Sequence, residues 1–202
     1  DENFDSVFGT GHALQNDLTI SGGGDNSTYF FSLGHLDQDG MIKNATYERT
    51  NARLNYEAKL NDKITLSSKM AYTFTKSNRI QQSSNVSGLM LGLLRTPPDF
   101  DGRDYKGTYT SSGGTEYVNR GRSYRKPIGQ SSNQSYTNPL WTVNEQTSLT
   151  KVNRITVTPQ LTIKPTNWFS VIARGNVDVA DDKRTYFFPV GDASSRANGQ
   201  FQ

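Results

Sequence analysis

Residues 47–78 read YERTNARLNYEAKLNDKITLSSKMAYTFTKSN, and this stretch decides the fold. From Asn51 to Leu60 the alternation has no error: Asn51, Arg53, Asn55, Glu57 and Lys59 are polar, while Ala52, Leu54, Tyr56, Ala58 and Leu60 are apolar. An Asn61-Asp62 turn follows, and the period of two then resumes. Ile64, Leu66, Met70, Tyr72 and Phe74 fall on one face, with Ser68 the single lapse; Thr65, Ser67, Lys69, Thr73 and Thr75 fall on the other, with Ala71 among them. Successive side chains of a strand point to opposite faces, so this pattern predicts two strands joined as a hairpin. Both exceed the five or six residues of an ordinary globular strand. A tilted strand of about 10 residues is long enough to cross an outer membrane.

The composition fits such a wall. Only 33% of the 202 residues are hydrophobic, and mean hydropathy is -0.71. A chain this polar could be disordered, but disorder keeps no strict period. A barrel that is apolar outside and wet inside needs only every second strand residue to be apolar. No apolar run is long enough for a membrane-spanning helix, which leaves a barrel open. The net charge of +3 is spread without blocks of like sign, which argues against a nucleic-acid surface. Cysteine is absent, so disulfides and thiolate metal sites are excluded. There is no initiator Met or leader-like segment at Asp1, and Gln202 falls within a polar stretch; the expectation is a piece of a longer chain.

Taken in order, residues 1–12 form a polar and aromatic lead-in with Phe4, Val7 and Phe8 as anchors. Strands are expected at about 14–22, 28–36, 47–60, 63–77, 151–163 and 168–180. Pro159 lies inside the fifth and lacks a donor, which predicts a bulge or bend. Turns are read near 23–27, 61–63 and 164–167; longer connections are read at 37–48, at 79–146 and from 181 onward. Within 79–146 only Leu89–Leu94 is apolar enough for a brief helix or an inward-packed patch. The connections thus alternate short and long. An antiparallel up-and-down transmembrane β-barrel with short turns at one end and long outer loops at the other predicts this asymmetry. Six strands are too few to close one, so the expected fold is all-β and a fragment of a larger barrel.

Gln15–Asn55 carries a family resemblance. The strand Asp17-Leu18-Thr19-Ile20-Ser21-Gly22-Gly23 leads to a second at Tyr29–His35. The loop Asp37-Gln38-Asp39-Gly40-Met41-Ile42-Lys43 follows, and then a strand carrying Tyr47, Arg49, Asn51, Arg53 and Asn55. This succession resembles the SusC/RagA family of TonB-linked outer-membrane proteins. Asn138-Pro139-Leu140-Trp141 is similar to that family's N-P motif. His35, in place of the usual aromatic, and Met41, in place of Ile, are mild departures. The resemblance implies a plugged barrel of the roughly 22-stranded transporter class, in the outer membrane of a Gram-negative bacterium. It implies a SusD-like surface lipoprotein as lid, import of oligosaccharides or peptides, and energy from TonB through a plug outside this segment. It implies no cofactor and no enzymatic activity.

The residues themselves mark no catalytic constellation. His12 and His35 lack neighbouring carboxylates at metal-site spacing. Gly22-Gly23-Gly24 sits between two strands, so no helix N-terminus follows to hold a phosphate. Asp99–Asp104 has a calcium-loop look but lacks the Glu at the twelfth position. The formal glycan acceptors at Asn26, Asn44, Asn85 and Asn133 are read as chance. The long loop is rich in tyrosine, and Tyr105, Tyr109 and Tyr124 are the candidate substrate or lid contacts, as amphipathic rings suited to stack on sugars or a partner protein. A self-packed loop is the alternative. Arg53, Glu57, Lys59, Arg154, Arg174 and Asp178 are expected on the wet face. Two rival functions stand beside the importer, and a third lacks the residues it needs. A porin or secretion barrel would lack a plug upstream. A soluble β-rich adhesin or glycan-binding module would leave membranes without detergent. A glycan hydrolase would need paired carboxylates.

Overall fold

The computed structural model describes residues 2–125, 127–128 and 136–191. The acceptor at Asn133 and everything after 191 lie outside the described residues. A short helix α1 (Glu2–Val7) precedes four long strands: β1 (Ala13–Gly23), β2 (Ser27–Asp39), β3 (Thr46–Asn61) and β4 (Ile64–Asn78). The excursion after β4 holds α2 (Leu89–Arg95), a hairpin of β5 (Lys106–Thr110) and β6 (Glu116–Gly121), and α3 (Pro139–Asn144). The chain then returns as β7 (Thr147–Thr166), β8 (Phe169–Arg174) and β9 (Val177–Phe187).

The sheet is an open antiparallel meander in the order β1-β2-β3-β4-β7-β8, with β9 also on β7. β8 and β9 are one edge row interrupted at Gly175-Asn176. Gln160 pairs with Arg174 and Val157 with Val177, so the register runs through unshifted. This corrects the bulge expected at Pro159. The Gly175 N–H donates to the Pro159 carbonyl at 3.1 Å, and the N–H that proline lacks would have pointed to the same side. The missing bond therefore falls on the edge row, and the pairing of β4 with β7 stays continuous from Ile64/Ile163 to Asn78/Leu149.

The long strands form because alternate residues meet different surroundings. Register aligns Leu18, Leu33, Ala52, Tyr72, Ile155 and Val179 across the sheet. The next row on that face is Ile20, Phe31, Leu54, Met70, Val157 and Val177. Among the described residues nothing covers this apolar face: Leu18 is 53% exposed, Val177 56% and Val179 55%. Arg53, Glu57, Lys59, Arg154, Arg174 and Asp178 all share the opposite face, as expected. There Arg154 is bidentate with Asp178, and Arg174 Nε donates to Gln160 Oε1 at 2.8 Å.

One end of the sheet has tight turns, at 24–26, 62–63 and 167–168, and Trp168 at that end is 85% exposed. The turn expected at 164–167 is shifted, because β7 continues to Thr166. The other end carries 40–45 and 79–146. The connection expected at 37–48 shrinks to 40–45, β7 starts at 147 rather than 151, and the chain after 181 continues as strand to Phe187.

The hydrophobic core sits at this long-loop end, away from the faces of the sheet. Val7, Ile80, Leu89, Leu93, Leu140 and Val143 form it, with Phe4, Phe8, Ile42, Ala45 and Tyr105 packed around. The lead-in anchors read from the sequence are thus placed in or against the core, and the Leu89–Leu94 patch is α2 with Leu89 and Leu93 buried. The described residues of 79–146 form a folded layer built from α2, the β5–β6 hairpin and α3.

Candidate functional site

The long-loop end is assembled by a few polar side chains that replace regular structure. Asn138 caps α3, its side chain accepting from Leu140 N at 2.9 Å, and Pro139 follows at the first helical position. A capping oxygen satisfies an orphan donor, and proline loses nothing there. The Asn138 amide also donates to the Gly102 carbonyl at 3.0 Å, while Gly102 N donates to Asn3 Oδ1 at 3.1 Å. A Cβ at Gly102 would lie 2.8 Å from that Asn3 oxygen, so the approach needs glycine. Asn3 Nδ2 reaches the Phe100 carbonyl at 2.9 Å. Asn44, at φ 63°, donates from its side chain to the Val143 carbonyl at 2.9 Å. Asn78 Nδ2 donates to the Asn44 carbonyl at 2.7 Å. These bonds join α1, the 40–45 loop, β4 and α3 into one block.

The three tyrosines singled out in the sequence occupy three different settings. Tyr105 is half-buried against the core, edge-on to Trp141 with ring centroids 6.4 Å apart. Its hydroxyl donates to Glu145 Oε1 at 2.9 Å, and Lys106 Nζ donates to the same oxygen at 2.7 Å. Burial, and then the bond to Glu145, hold the Tyr105 hydroxyl above the ordinary tyrosine range; the same carboxylate raises Lys106. Tyr109 stacks on Tyr117 across the β5–β6 hairpin at 5.0 Å, and Arg120 lies over Tyr117 at 5.2 Å. Tyr124, 47% exposed, meets Phe100 edge-on at 5.8 Å, with Arg122 over the other ring at 4.6 Å. Tyr136 is buried, its hydroxyl donating to the Arg95 carbonyl at 2.9 Å.

A cleft of about 550 Å³ opens where the polar face meets the loop layer. Gln38, Tyr47, Arg79, Gln81, Gln82 and Tyr186 line it. Amides, phenols and one guanidinium offer donors and acceptors with little net charge, which suits a neutral polar ligand. The sequence reading missed this cleft. Its residues come from β2, β3, β9 and the start of the excursion, and only the pairing of the strands brings them together.

Elsewhere Asp101, Asp104, Asp178 and Asp182 each pair with an arginine. Asp101 accepts from Arg103 Nε at 2.9 Å and from its backbone N–H at 2.9 Å, which hold its carboxyl below the ordinary range. Among the described residues, no three His, Cys, Asp or Glu side chains are placed to hold a metal ion.

No family model matches the chain. The chain is 32% identical over 101 residues to TonB-dependent receptor P39 of Formosa agariphila, a match covering 48% of this chain and 10% of that protein. TonB-dependent receptor P26 of the same organism is 27% identical over 99 residues, with the same coverage. Among solved structures, the RagAB peptide transporter aligns with a TM-score of 0.70 at 17% identity, over 96% of this chain and 20% of that chain. In fold the chain is RagAB-like. The RagAB peptide importer in its closed-closed state aligns with a TM-score of 0.68 at 18% identity. The RagAB likeness carries the fold, an open antiparallel sheet matching part of a barrel wall. This chain spans about a tenth of the curated relatives and about a fifth of the RagAB chain. By their names these relatives are receptors and importers, not enzymes.

Proposed function

We propose that this SusC/RagA-like chain is a segment of the wall and outer loops of a TonB-dependent outer-membrane importer. One observation carries the reading: among the described residues, a continuous apolar face of the sheet is left uncovered while the hydrophobic core sits at the long-loop end. Such a sheet needs lipid on one side and water on the other. The apolar face meets the membrane, the polar face lines the lumen or meets a plug, and the long-loop end faces outward. A porin would share this wall, but the TonB-dependent relatives favour the importer. A soluble module would leave the apolar face in water.

Within this reading the cleft by Tyr47 and Arg79 receives part of a neutral polar cargo, an oligosaccharide or peptide. The β5–β6 hairpin, with its Tyr109–Tyr117 stack, and the exposed Tyr124 meet cargo or a SusD-like lipoprotein lid. Tyr105 holds the hairpin base to α3. The test is purification of the full-length protein from membranes in mild detergent, followed by intact mass measurement. The expected result is a mass several times 22.5 kDa, with an acylated second protein that is lost on Tyr109→Ala/Tyr117→Ala substitution. Release into the soluble fraction without detergent would refute the membrane reading. An unchanged second protein in the double variant would refute the lid contact.

A further inference from the structure

A row of lysines crosses the apolar face at its outer rim. Register places Lys76 of β4 opposite Lys151 of β7, and Lys151 opposite Lys183 of β9. All three are exposed. Like charges directly opposite each other in a sheet repel, and neighbouring strands lie only about 5 Å apart. Glu48, opposite Lys76 on the other side, approaches it at 3.8 Å. Lys151 has a lysine on both sides. The row beyond them, Asn78, Leu149 and Thr185, is neutral; the row below, Phe74, Asn153 and Asp181, holds one carboxylate, two residues from Lys183. Among the described residues no ion pair reaches Lys151 or Lys183.

The height of the row points to its partner. On β4 the apolar face runs from Ile64 to Phe74, and Lys76 follows two residues later. At about 3.4 Å per residue and a tilt near 40°, the lysines stand about 5 Å beyond the apolar band. That is headgroup level, where lysine stems lie along apolar surface and ammonium groups reach polar surroundings. We propose that Lys76, Lys151 and Lys183 form a docking line for the phosphate of an outer-leaflet lipid headgroup, whose acyl chains lie against the apolar rows beneath. This rests on the membrane orientation proposed above.

The test uses the full-length protein reconstituted in phosphatidylcholine vesicles containing either bisphosphorylated lipid A or the same acyl-disaccharide without phosphates. Lipid retained after detergent gel filtration is counted per protein. The expected result is retention of the phosphorylated lipid only, weakened about tenfold or more in Lys151→Gln/Lys183→Gln, the scale expected when two basic residues are removed from an anionic surface. Lys151→Arg/Lys183→Arg should retain it. Equal retention of both lipids, or retention unchanged in the glutamine variant, overturns the proposal while leaving the barrel intact. Full displacement by excess inorganic phosphate would identify a free-anion site and also overturn it. Failure of the wild-type protein to enter vesicles would overturn the membrane reading itself.

Discussion

Met70→Arg and Ser67→Arg, made separately on β4, should differ widely in cost although the two positions are three residues apart. Met70 is on the apolar face between Leu54 and Val157, while Ser67 is on the polar face between Glu57 and Gln160. Ile64 to Phe74 extends about 34 Å along the strand, or about 26 Å along the membrane normal at a 40° tilt, close to the height of an outer-membrane apolar band. Met70 lies four residues below Phe74, about 10 Å into that band. An arginine there should cost about 2–4 kcal/mol, the range near the bilayer midplane. An arginine at position 67 meets water and the Glu57 carboxylate, so its cost should stay within about 1 kcal/mol. The assay is equilibrium denaturant unfolding of the full-length protein folded into lipid vesicles, with Met70→Leu as a control for loss of the thioether. If Ser67→Arg costs as much as Met70→Arg, the assignment of faces is wrong. If both are near neutral, the apolar face does not meet lipid.

Four other outcomes are expected. Trp141, 1% exposed, anchors the loop layer; Trp141→Ala should cost about 3–5 kcal/mol locally and expose 79–146 to limited proteolysis while the strands stay protected. The raised Tyr105 hydroxyl contributes stability that is fully present below the unfolded tyrosine value near 10 and is lost as pH rises through the higher folded value. Ultraviolet difference titration should show a late-titrating tyrosine that Glu145→Gln brings earlier; no change would remove Glu145 from that role. Pro159→Val restores a donor facing Gly175 and should add about 0.5–1.5 kcal/mol of stability, whereas destabilisation would mean the missing N–H faces β4. At Asn44, glycine keeps the positive φ and loses only the side-chain bonds, while alanine loses both. Proteolysis of the loop layer should therefore rank Asn44→Ala above Asn44→Gly, with about 1–2 kcal/mol between them, and the reverse order would remove backbone conformation as the cause.

The strand centres were legible in the sequence because their two faces meet different surroundings, and period two records that difference. Alternation is lost beyond the apolar band. In Asp181, Asp182, Lys183 and Arg184 both faces carry charge: Asp181 and Lys183 share the apolar side, while Asp182 and Arg184 share the polar side. The strand continues there without its pattern. The same holds for β2 at 37–39 and for the start of β7 at 147–150, so most of the extra strand length is at the long-loop end. The core was legible only in pieces, the lead-in anchors and the 89–94 patch, and its assembly was hidden for another reason. Val7, Ile80, Leu89 and Leu140 come together from four separate stretches with no common period. The tyrosines likewise showed composition without setting. Nothing near Tyr105 in sequence announces Trp141 or Glu145 as its partners.

Separating the two kinds of apolar surface has a mechanical consequence. The wall has its backbone bonds satisfied between strands, and its side chains are left for an outside solvent. The loop layer buries its own aliphatic residues and needs no lipid to do so. Two such parts could move independently if only a flexible connection joined them. Here Asn78 ends β4 and binds both the Asn44 carbonyl and, through its Oδ1, the Ser148 N–H at 3.1 Å. Arg79 N donates to the Ser148 carbonyl at 2.9 Å. The block is thus fixed to β4 and β7, the most fully paired strands, directly beside the cleft lined by Arg79 and Tyr186. Movement within the loop layer must then come from parts with fewer ties to the wall, and the tip of the β5–β6 hairpin is one such part. Its strands bond to each other, while its base is held to α3 through Tyr105 and Lys106 on Glu145 and by the packing of Gly121 against Trp141.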